Sequence, residues 1–172
     1  MAQRIEVGLK AGMQDSSGER LRRRIRSELG LELQAVHCLD VYTVDADRSA
    51  DELGRVAEGT LSDPISERVA LGPLAADGPE FDWALEIALR PGVTDNVGRT
   101  AREALALALE RPFGPAEGVY HSRQVLLRGA LGRFRPIHRP PPLDRGLVRR
   151  LLPPLLPGDG RRLRRGRGDR QL

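Results

Sequence analysis

The sequence predicts an α+β fold. It consists of two related β-α-β-α-β two-layer units whose antiparallel sheets pack as a pseudo-dimer, the second unit incomplete and followed by an irregular Arg/Pro-rich tail. Three observations predict it. Residues Ile5 to Arg20 (IEVGLKAGMQDSSGER) return as Leu85 to Thr100 (LEIALRPGVTDNVGRT) at a constant offset of 80 positions, with Glu6/Glu86, Leu9/Leu89, Gly12/Gly92, Asp15/Asp95 and Gly18/Gly98 identical. Each copy passes from alternating apolar residues, the period of a half-buried strand, through turn chemistry into the longer apolar period of a helix. Beyond residue 130 the composition changes abruptly: residues 131–172 hold 12 Arg, 3 Asp and seven of the 13 prolines, without Lys or Glu.

The elements of the first unit follow in order. Ile5, Val7 and Leu9 alternate with Glu6, Gly8 and Lys10, so this stretch reads as a strand. GMQDSSG, residues Gly12 to Gly18, is a turn in which Gly12 supplies positive φ and Asp15 caps the following helix. Leu21, Ile25 and Leu29 then recur every four positions among arginines, and Gly30 stops the helix. Gln34 to Asp45 is rich in β-branched residues and reads as a strand, extending into a hairpin partner. Ser49-Ala50-Asp51-Glu52 has capping-box spacing ahead of Leu53, Val56, Ala57 and Leu61, a helix that Asp63-Pro64 ends. Ile65 to Leu71 closes the unit.

Residues 72–82 form the linker between a first unit, 1–71, and a second, 83–129. The second unit opens with the strand around Leu85, Ile87 and Leu89 and turns through Gly92 and Asp95. It then runs a helix to Glu110 and a strand from Val119 to Arg128. By analogy with residues 49–71 a second helix and a closing strand are owed, and neither is evident. Such a unit leaves apolar surface and a sheet edge bare, which predicts self-association.

Bulk properties narrow the function classes. The net charge of +4 divides into −5 for residues 1–130 and +9 for residues 131–172, so the basic character belongs to the tail, not to the folded body. One cysteine, Cys38, cannot form an internal disulfide, and no apolar run is long enough for a membrane span. These features, with no signal-peptide core at the start, predict a cytoplasmic protein without membrane contact.

RPGVTDNVGRTARE (Arg90 to Glu103), VYHSRQVLLRG (Val119 to Gly129) and the upstream FDWALEI (Phe81 to Ile87) resemble the N-terminal region of bacterial phosphoribosylformylglycinamidine synthases. That region resembles a tandem pair of the enzyme's small PurS-type accessory subunit. The resemblance spans roughly residues 3–129 and includes the duplication. It implies a non-catalytic accessory module, a component of an ATP-dependent carbon–nitrogen ligase of purine biosynthesis with glutamine as nitrogen donor. The implied partners are the synthase and glutaminase parts, around the route of ammonia transfer. ATP and Mg²⁺ would belong to those catalytic domains; this chain carries neither the phosphate-loop pattern nor a dinucleotide fingerprint.

Candidate site residues are few. Asp15 and Asp95 read as helix caps rather than substrate ligands, because both copies keep them, and Gly12 and Gly92 as the turn residues beside them. Arg90, Arg99, Arg123 and Gln124 are candidates for an interface or for contact with an anion, against the favoured reading as solvated sheet and helix faces. His37 and Cys38 are neighbours on a strand and point to opposite faces, so they do not form a nucleophile–base pair; Cys38 reads as a small buried hydrophobe. His121 and His138 lack metal-ligand spacing, and no catalytic, cofactor or metal residue is assigned. The tail has two readings. RRLRRGRG suits contact with nucleic-acid phosphates, which makes a small nucleic-acid-binding protein the alternative function. The compositional break favours out-of-frame translation of GC-rich DNA, and with it a truncated synthase product. Leu143 to Leu152 is the one tail stretch with the pattern of a short amphipathic helix.

Overall fold

The computed structural model describes residues 2–74, 79–90, 92–129 and 149–152. Expectations for 75–78, 91, 130–148 and 153–172 lie outside the described residues. The chain runs β1 (Gln3–Leu9), α1 (Ser16–Leu29), β2 (Ala35–Asp45), α2 (Ala50–Thr60) and β3 (Glu67–Leu71). Then come β4 (Trp83–Ala88), α3 (Asn96–Ala108), β5 (Gly118–Arg128) and the short β6 (Arg149–Leu152). The class is α+β: an antiparallel sheet of order β3-β1-β2-β5-β4, to whose outer edge β6 is added.

β2 is one uninterrupted strand, which corrects the expected hairpin. Between Ala35 and Asp45 there is no Gly, Pro, Asn or Ser and Asp40 stands alone, so the chain runs straight and pairs along its whole length with β5, from Ala35↔Arg128 to Asp45↔Gly118. This central pair makes one sheet of the two halves. α2 starts on the capping box, Ser49 Oγ accepting from Glu52 N–H and the Glu52 carboxylate accepting from Ser49 N–H. Its end differs from the expectation at Asp63-Pro64. Gly59 takes φ 81° after a non-helical Glu58, so the helical geometry is broken several residues earlier. Asp63 then holds Ile65 N–H at 2.9 Å and Ser66 Oγ–H at 2.7 Å in a turn, which delays β3 to Glu67. α3 likewise stops before Glu110, which itself adopts a left-handed φ of 51°.

Arg149–Leu152 corrects the expected irregular tail and its helix, insofar as those four residues are extended and antiparallel to β4 (Ala84↔Leu152, Glu86↔Arg149). The outer edge of β4 offers free N–H and C=O groups, which favour a strand over an isolated helical turn. Among the described residues nothing corresponds to α2 in the second half. Ile87, Leu89, Val93 and Val97 are about half exposed there.

The helices lie on one face of the sheet. Ile5 and Val7 of β1, Tyr42 and Val44 of β2 and Val119 of β5 meet Leu53 and Ala57 of α2 and Ala101 and Leu105 of α3 in one buried cluster, so both halves contribute to a single core. Ile5, Leu53 and Leu105 are fully buried, each contributing about 1.5–3 kcal/mol of transfer free energy. Under α1 lies a second cluster of Leu33, Val36, Val125 and Leu127, flanked by Leu21, Ile25, Trp83 and Leu85. The opposite face is covered in part by the linker: Leu74 is buried against Leu39 and Leu126, with Phe81 and Ala84 beside them. The segment 72–82 is therefore a packing element at its two ends. None of the helices among the described residues is long and apolar enough to cross a membrane.

Candidate functional site

Two turns of the same construction dominate the polar geometry. Gly12 sits at φ 84° and Gly92 at φ 88°, a conformation open to glycine at little cost, and each leads to a capping aspartate. Asp15 Oδ1 accepts from Gly18 N–H at 2.7 Å, and its Oδ2 accepts from Cys38 N–H on β2 at 2.8 Å. Asp95 Oδ1 accepts from Gly98 N–H at 2.7 Å, and its Oδ2 from His121 N–H on β5 at 2.7 Å. Each aspartate thus does two jobs: it caps a helix and ties that helix to a central strand.

The glycines three residues after these caps have a role that sequence reasoning missed. A Cβ on Gly98 would stand 2.5 Å from the Val119 carbonyl oxygen, and one on Gly18 would run into the Val36 carbonyl. Their absent side chains let the first helical turn lie directly on the strand. The signal was present as Asp-x-x-Gly in both copies.

The interface candidates do not form one group. Arg90 and Arg99 converge with Gly92 and Asp95 on an open cleft of about 590 Å³ at the start of α3, together with Arg102, Glu117 and Tyr120. Arg123 stands apart at the centre of the sheet, where its Nη2 reaches Asp40 Oδ1 at 3.4 Å. The same carboxylate is 2.9 Å from His121 Nε2, whose ring lies 5.4 Å from that of Tyr42. Gln124 is half-buried and faces the other way, in register with Leu39 and Glu86. Gly12 and Asp15 line a smaller cleft of about 270 Å³ with Lys10, His37, Cys38 and Arg68. Cys38 is half-buried rather than buried, and burial followed by the charge of Asp15 pushes its thiol pKa up, away from the reactive thiolate.

Two further polar groups hold the halves together, and neither was anticipated from sequence. Arg48, with a side chain only 1% exposed, donates to the Asp47 and Pro112 carbonyls at 2.9 Å and pairs with Glu117 at 3.4 Å. Its guanidinium lies 5.0 Å from the centre of the Phe113 ring, and that of Arg102 lies 5.6 Å from the same centre. Glu117 accepts from Asp47 N–H at 2.8 Å and Gly114 N–H at 2.7 Å; these two bonds, first that of Asp47, hold its pKa below the ordinary value. On the opposite sheet face Glu6 is 1% exposed, yet satisfied: Arg4 Nε donates at 2.7 Å and Leu74 N–H at 2.7 Å. Arg4 then spans to Glu86 at 3.1 Å, and Glu86 accepts from Ser122 Oγ–H at 2.7 Å.

His121 Nε2 is bonded to Asp40, and burial raises the Cys38 thiol pKa. Among the described residues no three of His, Cys, Asp and Glu converge as a metal-ligand set. Comparison with protein-family models, curated proteins and solved structures found no match.

Proposed function

We propose that the chain is a non-catalytic PurS-type accessory module of a phosphoribosylformylglycinamidine synthase, acting in the cytoplasm to join the synthase and glutaminase parts around ammonia transfer. One observation carries this reading. The β1-α1-β2 and β4-α3-β5 segments share one capping device, an aspartate that reaches a glycine N–H three residues on and a central-strand N–H 23 residues on in the first and 26 in the second. Full-length antiparallel pairing of β2 with β5 then joins the two segments edge to edge. That arrangement supports a duplicated unit folded as a pseudo-dimer, and the resemblance carried by residues 81–129 includes that duplication. In this reading ATP and Mg²⁺ act in the catalytic domains of the partner, and Arg123 and Gln124 mark opposite faces of the central strand pair from which contacts to that partner are made.

The test is reconstitution. Purified synthase and glutaminase portions of such an enzyme are mixed with this chain and run by size-exclusion chromatography at micromolar concentration. Co-migration, with recovery of glutamine-dependent but not ammonia-dependent turnover, is the expected result. Separate elution at every concentration tried refutes the proposal.

A further inference from the structure

The cleft at the start of α3 carries an excess of positive charge that packing does not explain. Its two carboxylates are saturated: Asp95 by the N–H groups of Gly98 and His121, Glu117 by those of Gly114 and Asp47 and by Arg48. Its cations are not. Arg90 and Arg99 are exposed, and their guanidinium groups have no hydrogen-bond or ion-pair partner among the described residues. Arg102 spends one Nη on the Phe113 and Gly114 carbonyls at 3.1 Å, while its buried Nε has no partner among the described residues. The first turn of α3 contains no acidic residue.

The first half shows what the same construction looks like when its charges are balanced. At the offset of 80 positions Arg102 corresponds to Arg22, and Arg99 corresponds to Glu19. Glu19 there pairs with Arg22 at 3.0 Å. Arg90 corresponds to Lys10, whose Nζ donates to the Pro64 carbonyl. In the second half the acid that answers the arginine has become another arginine. Charge reversal on an exposed position leaves the fold alone and changes what the cleft attracts.

We propose that this cleft binds the phosphate group of a small ligand. Arg90 and Arg99 supply planar, paired donors to a phosphate, and Arg102 adds a third positive charge at the back. The N–H groups of Asn96 and Val97 precede the first backbone bond of α3, that of Arg99 to Asp95, and belong to the positive end of the helix, the end that borders the cleft at Asp95 and Arg99. Leu89, Val93 and Tyr120 form an apolar wall, and the volume of about 590 Å³ is of the size that holds a small organic ligand.

The experiment is an amide-resolved NMR titration of the intact ¹⁵N-labelled chain at low ionic strength, with inorganic phosphate and separately with ribose 5-phosphate. Saturable shifts of the Asn96 to Arg99 amides are expected with at least one probe. Tighter binding of ribose 5-phosphate assigns a phosphate ester; equal or tighter binding of inorganic phosphate assigns the free ion. Arg99→Glu, which restores the charge of the first half, weakens binding about tenfold or more, and Arg99→Gln by a smaller factor. Shifts confined to residues 131–172, where the tail arginines reside, overturn the proposal. Unchanged affinity in both Arg99 variants, each retaining the wild-type spectrum elsewhere, overturns it as well. The isolated chain suffices for this measurement, so its failure and a failure of the assembly proposal are separate results.

Discussion

Replacing Gly98 with alanine tests the account of the helix–strand contact, because two principles predict opposite signs. On helix propensity alone the change stabilises by about 1 kcal/mol. In this fold the new Cβ would stand 2.5 Å from the Val119 carbonyl oxygen and 2.5 Å from Asp95 Oδ2, and the first of these is backbone that cannot rotate away. Relieving that overlap lifts the first turn of α3 off β5, which costs about 1–3 kcal/mol as overpacking. It also draws the Gly98 N–H away from the Asp95 cap, worth about 1 kcal/mol more. The expected net is a destabilisation of about 2 kcal/mol, equivalent to a fall in Tm of about 4–8 °C. Gly54→Ala is the control. Its Cβ meets only Leu71 Cδ1 at 3.1 Å, the end of an exposed side chain able to turn aside, so stability should be unchanged or rise by up to about 1 kcal/mol. Urea unfolding followed by far-UV circular dichroism measures both. If Gly98→Ala proves as stable as the parent, or more so, the close-contact explanation is wrong.

Further outcomes follow from the same geometry. Asp95→Ser keeps a cap but loses the bond to His121 N–H, and Asp95→Ala loses both; the expected costs are about 1–2 and about 2–4 kcal/mol in urea unfolding, and equal costs would deny the second bond any role. Glu117, held by the Asp47 and Gly114 N–H groups, and Glu52, held chiefly by the Ser49 N–H, both have pKa values below the ordinary 4.5. Depressed carboxylates contribute stability that is complete above the ordinary value and lost as pH falls through the folded one, so the urea midpoint should decline below about pH 4.5, less steeply in Glu117→Gln. Cys38, its thiol pKa raised by burial, should react with Ellman's reagent at pH 7.5 several-fold more slowly than glutathione; equal rates would contradict its placement. Hydrogen exchange should be faster in α1, of which only Gly18 is buried, than in α3, which buries Gly98, Ala101 and Leu105; the reverse order would contradict the packing.

Much of the fold was legible because local rules and tertiary packing agree there. The alternation of Ile5 and Val7, the capping box at Ser49 and the β-branched run to Asp45 each point to the element that forms. The departures have identifiable causes. The end of α2 was misplaced because Gly59 outranks the more conspicuous Asp63-Pro64, and the hairpin was expected where only the pairing partner β5, remote in sequence, could show that β2 runs on. At the site, Asp15 and Asp95 are recognisable as caps from their position before a helix, but their bonds to Cys38 and His121 depend on where a distant strand lies. Arg48 was invisible for a related reason. A lone arginine after a strand carries no mark of burial, and its partners at Pro112, Phe113 and Glu117 lie more than 60 positions away.

The two halves are built alike at their turns and unlike in what covers them, and this difference organises the molecule. α2 seals the end of the sheet where α3 crosses it, bringing Ile5, Leu53, Ala57 and Leu105 to complete burial. α1, the partner of α3 in the other half, meets no second helix among the described residues. Leu21, Ile25, Trp83 and Leu85 around it remain only partly buried. The second half therefore borrows its core from the first: α3 and β5 are stabilised by residues of β1, β2 and α2, and Arg48 fastens the Phe113 to Glu117 loop from the first half's side. Residues 83–129 alone would bare the edge of β5 that β2 pairs and lose the α2 residues packed against Ala101 and Leu105. Both halves thus share the core, while the second presents the open arginine-lined cleft and the half-exposed Ile87, Leu89, Val93 and Val97.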